Sequence, residues 1–248
     1  MGTYTATLPQ TSNGILNSLT RPEYASLAPH LDPFKLSPKE VLYRPEQPIT
    51  HVYFPNRGAV SLVSTFEGGE SVEVGMVGNE GVFGVCVFLG SVSTPLLAQV
   101  QLPCDALRMC ADVLRREFQK CGQLQDLLLR YTQAFITQIA QTAACNRAHH
   151  VGGRLAKWLL MCADRSHSKQ LALTHEFVAA MLGTRRAGVT EMAIKFKRAG
   201  LIEYTRGSVT IEDREGPEAA SCECYPLVRK EFARLLGGNG HAQGNGAY

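Results

Sequence analysis

Between Ala111 and Pro217 the chain contains no proline, although it has 12 in all and most of them precede Ala111. Proline lacks an amide hydrogen and breaks helix interiors, so this long stretch is open to helix in a way the earlier residues are not. Before it, residues 40–108 carry short β-rich runs: Val41 to Arg44, Ile49 to Phe54, Ala59 to Ser64, Ser71 to Met76 and Leu96 to Leu102. Pro45, Pro48, Pro55-Asn56, Gly58, Gly68-Gly69 and Gly78-Asn79 punctuate them. Many short strands with frequent turns predict an all-β barrel or sandwich, and Gly68-Gly69 predicts a hairpin turn. Ahead of the strands, Thr20-Arg21-Pro22-Glu23 carries helix-start signals, which predict a helix from about Arg21 to His30 within a short lead of residues 1–38.

At 248 residues the chain has room for one large domain or two modest ones. Hydrophobic residues make up 45% and charged residues 19%, a globular composition. No run of about eighteen apolar residues and no basic-then-apolar leader is present, so neither a membrane span nor a secretory signal is expected, and the location implied is cytoplasmic. Eight cysteines raise the question of disulfides or a metal cluster. Most of them lie in apolar runs, as Cys86 and Cys162 do, which reads as ordinary packing. Only Cys222 and Cys224 are close in sequence, and a zinc or iron–sulfur site needs further clustered ligands, so no metal and no cofactor are expected. An enzyme of the cupin kind would need several inward histidines and carboxylates. The strand region offers only His51, and no catalysis is expected.

In the proline-free stretch Leu124, Leu128, Tyr131, Phe135 and Ile139 recur at three- and four-residue intervals, on one face of a helix from about Gln123 to His149. Such a helix, roughly 40 Å long, either lines a domain core or pairs with a partner chain. The second is preferred, which makes these five residues the interface of a homodimer. Gly152-Gly153 predicts a bend. A second helix, Arg154 to Asp164, then buries Leu155, Trp158, Leu159 and Cys162.

Residues 171–213 carry the chemistry. Thr174 is placed to cap a short helix through Leu182, Gly183 ends it, and Thr184 is placed to cap a second helix from Arg185 to Ala199. Helix, tight glycine turn and helix is the spacing of a helix-turn-helix. Val189, Met192, Ala193 and Phe196 form the second helix's apolar face. Leu201 to Thr205, Arg206-Gly207 and Ser208 to Glu212 read as a hairpin, the wing of a winged helix. Arg185, Arg186 and Thr190 stand at the leading end of the second helix, the end that meets base edges in the major groove. An arginine donates two parallel bonds to guanine, whereas threonines, lysines and helix-start amides suit phosphates. Paired arginines alone are a common solvated helix face. Here, however, Arg185 to Arg206 holds six basic residues against two acids, whereas residues 1–149 hold 11 basic and 12 acidic.

These blocks resemble the Crp/Fnr family of bacterial transcription regulators. Gly153-Arg154-Leu155-Ala156-Lys157-Trp158-Leu159-Leu160 is similar to the start of that family's DNA-binding domain. Leu173-Thr174, then Leu182-Gly183-Thr184-Arg185-Arg186-Ala187-Gly188-Val189-Thr190, then Gly200-Leu201-Ile202 resemble its helix-turn-helix. His51 to Phe54 with Gly58, and Gly75-Met76-Val77-Gly78 before Gly81-Val82-Phe83-Gly84, resemble its β-roll. The resemblance implies an α+β chain with an N-terminal β-roll like a cyclic-nucleotide-binding domain, a long dimerisation helix and a C-terminal winged helix-turn-helix. The expected division is 1–122, 123–150 and 151–248. It also implies a homodimer on a pseudo-palindromic stretch of double-stranded DNA, with RNA polymerase a candidate partner. Arg186 matches the family's main base-reading arginine and Thr174 a phosphate-contacting residue, while Arg185, Gly188 and Val189 occupy neighbouring positions of the reading helix. The expectation is that Arg185 and Arg186 read bases while Thr174, Thr184, Thr190, Lys195 and Arg206 hold phosphates.

This chain departs from the family in places. Ala187 replaces a frequent glutamate, and Glu191 stands where the second base-reading arginine of the cyclic-AMP-type members falls, so the preferred DNA should differ from theirs. Gly78-Asn79-Glu80-Gly81 loosely echoes the ribose-binding Gly-Glu pair of the nucleotide-binding members. Gly90 to Pro95 contains no arginine for a phosphate, so the effector is unassigned. A ligand-binding signalling protein whose winged helix contacts another protein is the alternative reading.

Overall fold

The computed structural model describes residues 10–205 and 207–237. Two short helices, α1 (Gly14–Asn17) and α2 (Arg21–Leu27), precede the sheet, and a single 3-10 turn carries α2 on to His30, where the capping signals predicted the helix to end. Five antiparallel strands follow: β1 (Asp32–Leu36), β2 (Val41–Tyr43), β3 (His51–Thr65), β4 (Ser71–Val77) and β5 (Leu97–Cys110). Their order is β1-β5-β3-β4, with β2 also on β5. The Gly68-Gly69 hairpin joins β3 to β4, closed by the Phe66 amide on the Glu70 carbonyl at 2.9 Å.

The strands are fewer and longer than the punctuation suggested. Ile49 to Phe54 and Ala59 to Ser64 belong mostly to one strand, and β5 runs straight through Pro103. Pro55-Asn56 and Gly58 are not a turn but sit where the β3–β5 register shifts. A bulge tolerates a missing amide and bends the strand, which is how a sheet curls into a roll. Gly58 has φ +91°, and a Cβ there would lie 2.2 Å from the Pro103 carbonyl oxygen. β1 carries no local strand signal, since Asp32-Pro33 falls at the end of the short lead. It is an outer strand of the sheet, where proline costs little.

Beyond α3 (Ala111–Phe118), α4 spans Gln123–Ala148 as its period predicts. The partner of its apolar face differs from expectation. Leu124, Leu128, Tyr131 and Phe135 are buried in this chain's own β-roll core, and Ile139 packs against it. The four buried residues are therefore closed to a partner chain, and Ile139 is only partly exposed. Glycines make room for them: a Cβ on Gly81 would lie 2.2 Å from the Tyr131 ring, and one on Gly75 2.9 Å from Phe135. Periodicity reports that a face is buried, not by what.

The helix breaks at His149-His150, both extended, and α5 (Val151–Ser166) begins at once. Gly152 and Gly153 lie inside the first turn of α5 rather than at the bend. Leu155, Trp158, Leu159 and Cys162 are buried as expected, in a second core shared with Ala59, Val63, Met76 and Leu102 of the roll. Then come β6 (Gln170–Leu171), α6 (His175–Met181), α7 (Arg186–Arg198), β7 (Ile202–Thr205), β8 (Ser208–Ile211), α8 (Glu215–Ala220) and α9 (Cys224–Leu236). α9 leaves the winged helix and returns to α4, bringing the Phe232 ring 6.2 Å from that of Tyr131.

Candidate nucleic-acid interface

Thr174 caps α6, its Oγ1 accepting from the Phe177 amide at 3.2 Å. Gly183, at φ +56°, lets the chain reverse, so the Gly183 and Thr184 amides donate to the Ala180 and Ala179 carbonyls. α7 starts one residue later than predicted. Its N-cap is Arg185, without a side-chain cap, so Thr184 does not cap it. Val189, Ala193 and Phe196 are buried and Met192 packs beside them, which fixes the rear of α7 against α5 and α6. Arg185, Arg186 and Lys195 are left exposed. Val189 is 1% exposed and serves the core, so it does not touch DNA in this arrangement.

Gly188 is half-buried in the first turn of α7. Thr190, also half-buried, shares a 3.0 Å hydrogen bond with His175 Nδ1. His175 had no signal in the sequence, yet it joins three parts of the motif. Its ring stacks on Tyr204 of β7 at 4.0 Å, and burial together with the charge of Arg186 lowers its pKa. The exposed cations have loose local partners: Arg186 is 3.6 Å from Glu176, and Lys195 2.8 Å from Glu191. Such solvent-exposed pairs are worth little and yield readily to a phosphate. Lys197 pairs with Glu203 and ties α7 to β7. The wing is three-stranded, order β6-β8-β7. Arg206, between β7 and β8 in sequence, lies outside the described residues.

The β-roll approaches the same motif. Phe66, Glu70 and Val72 of the β3–β4 hairpin face Thr184, Arg185 and Arg186 across a cleft of about 630 Å³. Glu80, the echo of the ribose-binding carboxylate, is committed elsewhere, with Arg165 Nη2 of α5 at 2.7 Å. Near that pair lies Glu73, fully buried. Burial pushes its carboxyl up to about 7, against the opposing pull of the Ser61 hydroxyl at 2.6 Å and of Arg165 and Lys157.

Between about 4.5 and 7 the unfolded chain has released this proton while the folded chain still holds it, so stability falls as pH rises through that window and then levels off. Glu73→Gln should flatten this slope and gain relative stability at pH 8, by about 1–3 kcal/mol. Urea midpoints of both proteins at pH 5 and pH 8 check it. Parallel pH profiles would contradict the buried acid.

Residues 33–121 match the cyclic nucleotide-binding domain family and residues 153–218 the Crp-like helix-turn-helix domain. The global nitrogen regulator of Nostoc sp. is 26% identical over 182 residues, covering 69% of this chain and 81% of that protein. The global nitrogen regulator of Synechocystis sp. is 25% identical over 183 residues, covering 70% and 81%. Among solved structures, FixK2 from Bradyrhizobium japonicum superposes with TM-score 0.65 at 16% identity, over 77% of this chain and 98% of that one. A Crp-family transcriptional regulator from Thermus thermophilus gives 0.62 at 17%, over 76% and 96%. Among the described residues no helix is long and apolar enough to cross a membrane. With a roll of the cyclic-nucleotide-binding kind, a long helix and a Crp-like winged helix in that order, the chain belongs to the Crp/Fnr family of DNA-binding transcription regulators.

Proposed function

We propose that the chain acts in the cytoplasm, without catalysis, as a homodimer that reads a pseudo-palindromic operator with two copies of α7. The observation that carries this reading is the exposure of Arg185 and Arg186 at the leading end of a helix whose rear is held in a core. In such motifs that end enters the major groove. Arg186 and Arg185 read base edges. Thr174, Thr184, Lys195 and Arg206 hold phosphates, with Gly188 allowing close backbone approach. Thr190 supports the helix through His175 and reaches phosphate from there. RNA polymerase is the further partner this class of regulator would meet.

Dimerisation is assigned to the outer face of α4. Leu129, Gln133, Ile136, Ala140 and Ala143 are exposed and follow a three-four spacing, the seam of a two-stranded coiled coil. An effector acts by shifting the hairpin and α5 against the winged helix, which reorients α7.

Arg186→Ala tests the reading. Base discrimination should fall by about 5- to 150-fold, the worth of one bidentate contact, with unfolding midpoints nearly unchanged. Operator competition against mismatched duplexes measures it, and undiminished preference would remove Arg186 from the reading position. The alternative, a winged helix that contacts protein, requires that no genomic fragment give a sequence-specific gel shift even at low salt.

A further inference from the structure

Cys145, His149, Cys222 and Cys224 meet where α4 ends and α9 begins, and their ligand atoms all lie within 4.8 Å of one another. Cys145 Sγ is 3.5 Å from Cys222 Sγ, and Cys224 Sγ is 3.5 Å from His149 Nδ1. A tetrahedral ion with metal–sulfur bonds of about 2.3 Å sets its ligands about 3.8 Å apart. An iron–sulfur cage places several atoms between its cysteines and needs wider separations. We propose that these four side chains form a Cys3His site for a single structural zinc ion, which staples the C-terminal helix to the hinge between sensor and reading head. The Cys-x-Cys of residues 222 and 224 lacked a second pair in the sequence. Folding supplies it from the last turn of α4, with Cys145 and His149 one helical turn apart.

The surroundings fit a metal better than free thiols. His149 Nε2 lies 3.1 Å from Glu223 Oε1. With Nε2–H donating to that carboxylate, the Nδ1 lone pair faces Cys224, which is the usual arrangement behind a metal-bound histidine. Gln141 Nε2 donates to Cys224 Sγ at 3.1 Å, as amides do to thiolates. The three cysteines form a small buried cluster of their own. Entry of Zn2+ displaces three thiol protons and leaves one net negative charge on the site. Arg154 and Lys157, both buried on α5, lie close enough to interact with Cys145 and offset that charge. Gly153 also finds its role here: a Cβ on it would lie 3.4 Å from the Cys222 amide nitrogen, so α5 seats directly against the ligand loop. Arg154 in turn hydrogen-bonds the Leu182 carbonyl at the end of α6. Ion, hinge and reading motif are thereby in contact.

The test uses the full chain, purified reduced, untagged and without chelator, with metals measured by mass spectrometry. About one zinc per chain is expected. Replacement by cobalt should give thiolate-to-cobalt charge transfer and the intense visible bands of a tetrahedral ion. Cys224→Ser should lower bound zinc to about a tenth or less. His149→Ala, at a half-buried helix end, should keep its circular dichroism while losing affinity by about 10- to 100-fold against a chromophoric chelator. Cys86→Ser, distant from the site, should keep the full equivalent. Three results would each overturn the proposal: folded, reduced protein that takes up neither zinc nor cobalt; zinc content unmoved by Cys224→Ser; or a Cys145–Cys222 disulfide in the protein as isolated under reductant.

Discussion

Arg165→Met is expected to cost about 2–4 kcal/mol of stability, because it leaves the half-buried Glu80 carboxylate without its cation. The Arg165 side chain is 8% exposed and bonds Glu80 through Nε at 2.9 Å and Nη2 at 2.7 Å. Its Nη1 donates to the Met161 carbonyl at 3.1 Å, and its stem lies so close to Gly78 that a Cβ there would come within 2.3 Å. Removing the guanidinium strands Glu80 and takes away one of the cations that face Glu73. Because Arg165 belongs to α5 and Glu80 to the roll, the loss should appear first as separation of the two domains. Hydrogen exchange should rise across α5, β4 and the Gly78–Gly81 turn before the rest. Glu80→Gln alone should also destabilise, but the Arg165→Met/Glu80→Gln pair should recover part of the loss, since neither charge is then orphaned. A single-variant effect under about 1 kcal/mol in urea unfolding would mean the pair is solvated and is not a latch.

Ile136→Glu should separate the subunits and lower operator affinity by about 10²- to 10⁴-fold, because one reading head loses the effective concentration supplied by the other. Ile136 is 54% exposed and points away from the buried stripe of Leu128, Tyr131 and Phe135, so a charge there leaves the roll core intact. Facing its own copy across a coiled-coil seam, the same charge would be buried beside a like charge. Sedimentation equilibrium should report a folded monomer with unaltered circular dichroism. A dimer that survives this change, with full operator affinity, would move the interface off the outer face of α4.

The reading motif was legible because its signals are local. Thr174 as cap, Gly183 at the reversal and the apolar positions Val189, Ala193 and Phe196 each act within a few residues. The start of α7 slipped by one residue, with Arg185 rather than Thr184 as its N-cap, and Val189 turned into the core. The roll was legible as strand-rich, but its length and bends were not. Pro55 and Gly58 look like turn residues whether they end a strand or bulge it, and the difference lies in β5, which arrives some fifty residues later.

The long helix shows the limit most clearly. The period of Leu124, Leu128, Tyr131 and Phe135 established a buried face, and the expectation that a partner chain buries it was wrong. The sheet, with room left at Gly75 and Gly81, takes that face instead, and the weaker stripe through Leu129 and Ile136 is left outward. By itself the sequence determined the order of β-rich part, long helix and winged helix, and it concentrated the positive charge on α7 and its neighbourhood. Those properties depend on periodicity, capping and residue type, which act over a turn or two of chain. Only the tertiary structure decided which face of α4 is free, that Glu80 answers Arg165, and that Cys145 and His149 join Cys222 and Cys224. Each of those is a meeting of side chains more than seventy residues apart or a competition between faces, and packing selects among partners that local pattern treats as equivalent.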